Sequence, residues 1–372
     1  MRVPFLDLKT QYHSIREEIA EAIQRVLDSS QYILGPEVSA FEGAFAAAHG
    51  ASHCIATNNG TSALHLALWA LGIKSGDEVI LPVNTFIATA EAVLLCGATP
   101  IFVDHDEYYN LDSEEVERRI TRRTRAIMAV HLYGQLANMP DISSIARRQG
   151  LLLIEDAAQA HLASLNGKMA GAWGRATGFS FYPGKNLGAY GEAGAVLTED
   201  TALAEKMRRI RDHGSENKYW HTIAGHNYRL EALQGAILGV KLKHLKAWTA
   251  LRQDHATEYG KLLAGIPEIA LPKVREGAGH VYHLFVIQAK ERDKLREFLE
   301  QREIATGLHY PVPLHLQPCF RNLGYKEGAF PRAERAANRI LSLPMYPELT
   351  NEQIAFVADS IREFYASKGA RS

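Results

Sequence analysis

The chain has 372 residues, with 41 lysines and arginines against 42 aspartates and glutamates and a formal net charge of −1. Apolar residues make up 47% and charged residues 22%, ordinary for a globular enzyme with one large domain and a smaller one. This balance excludes field-driven attachment to nucleic acid or anionic membrane. No run is long enough to span a bilayer, and three scattered cysteines (Cys54, Cys96, Cys319) make neither a disulfide frame nor a metal site, so a cytoplasmic protein without metal is expected.

Residues 1–10 read as extended, with Pro4 in support. From Tyr12 to Leu27 apolar positions recur at helical spacing, and Pro36, after Gly35, is placed to open a second helix carrying Val38, Phe41 and Phe45 on one side. Short apolar strands near 53–57, 78–81, 100–103, 126–130 and 151–155 then alternate with helical stretches. Such alternation predicts an α/β fold, a mostly parallel sheet flanked by helices. Ligands of such sheets gather at the carboxyl ends of the strands, where Gly60, Phe86, His131 and Asp156 would lie. Asp112 is placed to cap a helix through Glu115.

Four stretches carry candidate chemistry. Asn59-Gly60-Thr61-Ser62 follows the first strand and opens a helix, the form of a phosphate cradle, although Thr61 and Ser62 also suit a plain helix cap. Phe86 either packs in the core or stacks on a flat ring. The apolar run Leu151-Leu152-Leu153-Ile154 delivers Asp156 to a strand end, as a helix cap or as the partner of a protonated ring nitrogen, and Gln159 follows three residues on. After a short strand near Thr177–Phe181, Lys185 sits in a turn rich in Gly and Pro, with Ser180 five residues before it. A lysine in such a turn is ordinarily a solvated charge. With the acid and the cradle it points to pyridoxal phosphate (PLP): an amine for the aldehyde, a carboxylate for the pyridinium nitrogen, amides for the phosphate. A Walker A loop is excluded because Phe179 stands where its first glycine belongs and Asn186 follows the lysine, and Gly188, Gly191 and Gly194 lack dinucleotide-fold spacing.

Farther on, Ala193 to Thr198 reads as a strand and Asp200 to Arg211 as a helix. Residues 213–229 are aperiodic, a loop that is functional or at an interface. A long helix from Leu230 to Leu263 ends at Gly265-Ile266-Pro267. The expected division is a PLP-binding large domain with its N-terminal segment over 1–264 and a small C-terminal α+β domain over 265–372. The latter is read as a strand at Tyr282–Ile287, a helix at Glu291–Gln301, a strand at Ile304–His309, a helix around Arg332–Leu341 and a last helix after Thr350.

Taken together, Phe5-Leu6-Asp7-Leu8, Gly35-Pro36-Glu37-Val38, Asn59-Gly60-Thr61, Gly76-Asp77-Glu78-Val79, Glu155-Asp156-Ala157-Ala158-Gln159, the segment from Ser180 to Gly188, and Asn227-Tyr228-Arg229-Leu230 resemble the nucleotide-sugar aminotransferases of the DegT/StrS type. These are fold-type I PLP enzymes related to aspartate aminotransferase, and the resemblance spans nearly the whole chain. It implies a homodimer with active sites shared at the subunit interface, glutamate as amino donor, pyridoxamine phosphate as the cofactor's intermediate form, and a keto sugar on dTDP or UDP as acceptor. It makes Lys185 the Schiff-base lysine, Asp156 the pyridinium partner, Gln159 a ring contact and Phe86 the stacking aromatic. Gly60, Thr61 and Ser180 would hold the phosphate, joined by Asn227 from the neighbouring subunit. Dehydratase relatives carry histidine at the Lys185 position, so transamination is implied. Tyr182 to Gly188, followed by Lys218, Tyr219 and His221, is most similar to members that aminate C3. Lys218, Tyr219, His309, Tyr310 and His315 are the candidate sugar and nucleotide contacts, each equally readable as a polar interface residue. Amination at C4, or a regulatory module that holds PLP without turnover, are the alternatives.

Overall fold

A computed structural model describes residues 1–369. The first helix, α1 (Leu8–Ser29), starts sooner than apolar spacing indicates because the Asp7 carboxylate accepts from the Thr10 amide at 2.9 Å. Only the first seven residues therefore stay outside it. In α2 (Gly35–His49) Pro36 sits in the first turn, and Val38, Phe41 and Phe45 are buried.

Seven strands build the central sheet. The chain runs β1 (His53–Thr57), α3 (Gly60–Ala70), β2 (Glu78–Pro82), α4 (Ile87–Leu95), β3 (Thr99–Val103), α5 (Ser113–Arg119), β4 (Thr124–Val130), α6 (Met139–Gln149) and β5 (Leu152–Asp156). Two short strands, β6 (Ser164–Leu165) and β7 (Lys168–Met169), precede β8 (Ala176–Ser180), β9 (Gly194–Thr198) and α7 (Thr201–Arg211). The sheet order is β1-β9-β8-β5-β4-β2-β3. From β8 to β3 every pair is parallel, whereas β9 lies antiparallel to both β8 and β1. The reversal follows from the connection: β8 and β9 are joined by the turn that holds Lys185, with no helix to carry the chain back over the sheet. Asp112 caps α5, accepting from the Glu114 amide at 3.0 Å, while Glu115 pairs with Arg118 rather than reaching back to the cap.

The aperiodic stretch after α7 holds a hairpin, β10 (Ser215–Asn217) and β11 (Trp220–His221), turning at Tyr219 with φ +66°. Helix α8 (Ala232–Leu263) leads to β12 (Ile269–Ala270), β13 (Ala278–Gly279), β14 (Phe285–Ala289), α9 (Arg292–Gln301), α10 (Pro331–Ala337), β15 (Ile340–Leu343) and α11 (Asn351–Gly369). Three expectations change here. Tyr282 is left out of the strand because its φ is +42° and its ring stacks on His280, 3.9 Å between centroids. Residues 304–309 form no strand, only isolated bridges from Ile304 to Val3 and from Gly307 to Ser342. The helix near 332 stops at Ala337, and the buried residues Ile340, Leu341 and Leu343 pair with β14 instead of completing a helix.

The largest core lies about the sheet, including the rings of Phe41, Phe45, Phe179 and Phe181. A second gathers Phe285, Leu295, Leu341, Ile354 and Ile361. Val3, Tyr259 and Leu263, which precede residue 264, pack in this second core, so α8 reaches into both and the N-terminal segment into the second. Among the described residues, no helix is long and apolar enough to cross a membrane.

Candidate active site

The carboxyl ends of β4, β5 and β8 open on a cavity of about 910 Å³, the size of a small-molecule site. Strand alternation sends the two acids ending β5 in opposite directions. Asp156 lines the cavity. Its Oδ2 accepts from the Thr89 hydroxyl at 2.7 Å and its Oδ1 from the Ala158 amide at 3.1 Å. Burial raises the Asp156 pKa, opposed by these donors and by Lys185. Glu155 points away and accepts from the amides of Gly171, Trp173 and Gly174, the Thr177 hydroxyl and His131 Nε2. Burial pushes its pKa up, but His131 and the amides more than offset this and hold it below its ordinary value. Because the Ala137 amide donates to His131 Nδ1, the proton of that ring is on Nε2, facing Glu155.

Lys185 stands in the tight turn between β8 and β9, its amide donating to the Tyr182 carbonyl at 2.8 Å. The turn closes so sharply that a Cβ on Gly188 would lie 2.2 Å from the Pro183 oxygen. From behind, the buried ammonium of Lys241 donates to the Gly188 carbonyl at 2.5 Å. Burial pulls the Lys185 pKa down to about 8, with Asp156 opposing. Each of the two charges thus shifts the other's proton affinity, which places amine and acid in one chamber.

The third component is the start of α3. Asn59 Oδ1 accepts from the Ser62 amide at 2.7 Å, whereas Gly60 and Thr61, the first helical residues, have no carbonyl one turn back to receive their N–H groups. A Cβ on Gly60 would come within 2.6 Å of Ser180 Cβ, so only glycine lets the helix start approach the end of β8. The Ser180 carbonyl is itself fixed by His161 Nε2 at 2.9 Å. A buried carboxylate, an amine of lowered pKa and a helix start with open amides in one cavity are the donor set that PLP requires, and these residues fit it.

Gln159 is buried in the wall, accepting from the Tyr133 amide at 2.7 Å and donating to the Tyr310 hydroxyl at 3.2 Å. Phe86, half exposed at the rim, has its ring 5.5 Å from that of Tyr310. His309 stacks on Phe5 and bonds Ser342 Oγ at 2.9 Å, and burial with Lys185 nearby lowers its pKa to about 4.

Nine of the thirteen candidate residues line this cavity: Gly60, Thr61, Phe86, Asp156, Gln159, Ser180, Lys185, His309 and Tyr310. The other four lie elsewhere. Lys218 and Tyr219 are on the exposed hairpin, the lysine ammonium over the tyrosine ring at 5.4 Å. Asn227 is exposed, its Oδ1 accepting from Arg229 Nε. His315 lies outside the cavity, its ring buried with Nε2 2.9 Å from Glu334. Thr89, Tyr133 and His283 are wall or supporting residues that sequence reasoning did not single out. Thr89, one turn after Phe86 in α4, was the one within reach of a helical-spacing argument.

The model of the DegT/DnrJ/EryC1/StrS aminotransferase family matches residues 13–362. Over 368 residues the chain is 50% identical to the "Pleiotropic regulatory protein" of Geobacillus stearothermophilus, covering 98% of this chain and 99% of that one. It is 48% identical over 364 residues to a dTDP-3-amino-3,4,6-trideoxy-alpha-D-glucose transaminase of Streptomyces venezuelae, covering 98% and 96%. The crystal structure of S. venezuelae DesV in complex with a ketimine intermediate superposes with a TM-score of 0.96 at 48% identity, covering 98% of both chains.

Proposed function

Since the chain belongs to the DegT/DnrJ/EryC1/StrS aminotransferase family, we propose that it moves an amino group from glutamate to the C3 carbonyl of a keto sugar carried on dTDP or UDP. It is a PLP-dependent transaminase, and the observation that carries the reading is the meeting of Lys185, Asp156 and the open amides of α3 in one cavity. The C3 position is supported by the transaminase relative from S. venezuelae, whose product bears its amine there.

PLP, when bound, supplies an aldehyde that condenses with amines and a ring that takes up the electrons of a broken C–H bond. The chain supplies the rest. With its pKa near 8, the Lys185 amine is partly unprotonated at neutral pH, so it can attack a carbonyl and later carry a proton to and from the substrate carbon. Asp156, oriented by Thr89 and Ala158, would keep a proton on the ring nitrogen. The Gly60 and Thr61 amides and the Ser180 hydroxyl would hold the phosphate, Phe86 would stack on the ring, and Gln159 would be a further ring contact. His309 and Tyr310, in the lining of the same cavity, would contact the sugar.

The working unit is proposed to be a homodimer in the cytoplasm. Support comes from exposed apolar surface: Tyr219 is 84% and Trp220 68% exposed on the hairpin, and Phe86, Leu95 and Tyr182 are exposed on the cavity rim. Within a dimer, Lys218, Tyr219 and Asn227 would complete the neighbour's site.

The test is spectroscopic. Purified protein should be yellow, lose the colour with excess glutamate and regain it with a 3-keto nucleotide sugar. An unchanged spectrum with glutamate refutes the donor. Mass spectrometry of the amino sugars formed from dTDP- and UDP-linked 3-keto and 4-keto substrates decides nucleotide and position. The name of the Geobacillus relative favours a second, regulatory reading. A Lys185→Ala protein separates the two: it stays folded and loses turnover if the site is catalytic.

A further inference from the structure

A second pocket, of about 560 Å³, opens between the loop after β3 and the segment running from α10 to Arg339. It shares no lining residue with the catalytic cavity. Four arginines line it, Arg275, Arg332, Arg335 and Arg339, together with the acids Asp106, Glu107 and Asp112. Each of those acids already has its own cation: Asp106 pairs with Arg275, Asp112 with Arg332 and Glu107 with Lys273. Among the described residues, Arg335 and Arg339 have no carboxylate within ion-pair distance. Arg335 closes the last turn of α10, where a cation offsets the helix dipole, but Arg339 lies past that helix and is half-buried.

Two uncompensated guanidinium groups facing one pocket match a dianion, and a single carboxylate would leave one of them unanswered. Guanidinium forks also fit phosphate oxygens in bidentate fashion. A fork has five N–H donors, so the paired Arg275 and Arg332 keep some in reserve. We propose that this pocket is a binding site for a small phosphate-bearing anion, a diphosphate or a phosphate monoester. The inference is independent of the transaminase reading. The pocket backs onto the catalytic wall: Gln288, in its lining, donates to the Tyr109 hydroxyl at 2.8 Å. Tyr109 packs 5.3 Å from Tyr133, whose amide holds Gln159.

Calorimetric titration of the PLP-loaded protein at low salt, with inorganic diphosphate and separately with glycerol 3-phosphate, tests the proposal. Saturable binding is expected, weakened at least about tenfold in the Arg335→Gln/Arg339→Gln protein because each lost contact is charge-assisted. An Arg122→Gln/Arg125→Gln protein, with the same charge removed elsewhere on the surface, should bind as the parent does. Binding of glycerol 3-phosphate shows that a monoester suffices; binding of diphosphate alone assigns the site to the larger anion. The proposal falls if neither anion binds. It also falls if the Arg335/Arg339 change has no effect, which would place the anion outside this pocket, or if both double variants lose affinity equally. Arg335→Gln alone, at an exposed position, carries the test should the double variant not fold.

Discussion

Replacing Thr89 by valine keeps the side-chain shape and removes the hydroxyl that donates to Asp156 Oδ2 at 2.7 Å. The change also deprives the Thr85 hydroxyl, 2.9 Å from that of Thr89, of its partner. A buried hydrogen bond to a charged group contributes about 1.5–3 kcal/mol, and the ionised form of Asp156 bears the loss. Without that donor the Asp156 pKa rises further, in the direction burial already pushes it. Burial already holds that pKa above its value in the unfolded chain, so the native state binds the proton more tightly and stability falls as pH rises from the unfolded pKa to the native one. The valine protein extends that fall to higher pH. In urea titrations of protein freed of PLP, its midpoint should lie below the parent's at pH 8, with the deficit shrinking as pH is lowered toward the carboxylate range. Equal midpoints at pH 8, or a deficit that grows on acidification, would refute the role given to Thr89.

Four further outcomes rest on the same geometry. PLP uptake by cofactor-free protein should slow as pH drops through about 8, the pKa to which burial lowers Lys185, rather than near the value of a free lysine, as followed by absorbance in stopped flow. Lys185→Ala should cut turnover by roughly 10² to 10⁴ or more while leaving the circular dichroism spectrum unchanged. Gly60→Ala must displace Ser180, which its Cβ would approach to 2.6 Å, so equilibrium dialysis should show weaker PLP retention in a protein that still folds. Glu155→Ala removes the acceptor of five donors, and at about 1–3 kcal/mol for a buried donor left unsatisfied the loss should be readable as a lower thermal midpoint.

What could be read from the chain alone was whatever local pattern controls. Asp156 was legible because an unbroken apolar run ending in an acid is how a buried strand brings a carboxylate to the edge of a parallel sheet, and Gly60 because a glycine between a strand and a capped helix start implies close approach. Lys185 was legible only in company with them. Its turn is ordinary in composition, and burial, which gives the amine its chemistry, depends on walls contributed from distant parts of the chain. Thr89 was silent for the same reason: it meets Asp156 across 67 positions through the sheet order. The direction of β9 was equally hidden, since all its residues are buried and a fully apolar strand carries no period to orient it. The hairpin at 215–221 escaped because strands of two and three residues are too short to show alternation. The pairing of His315 was silent as well, since Glu334, which meets its ring nitrogen, lies nineteen positions on.

The reversed strand β9 also bears on how the molecule comes into being. Its two neighbours are β8, close behind it in the chain, and β1, more than a hundred residues earlier, so β1 has no lateral partner until residue 198 has been made. A nascent chain emerging from the ribosome must therefore hold its first strand in waiting, and ribosome-bound fragments ending before Gly194 should expose a sticky, unpaired border. The lysine's bend, strung between β8 and β9, takes its shape in the same late closing event, so catalytic competence and completion of the sheet arrive together.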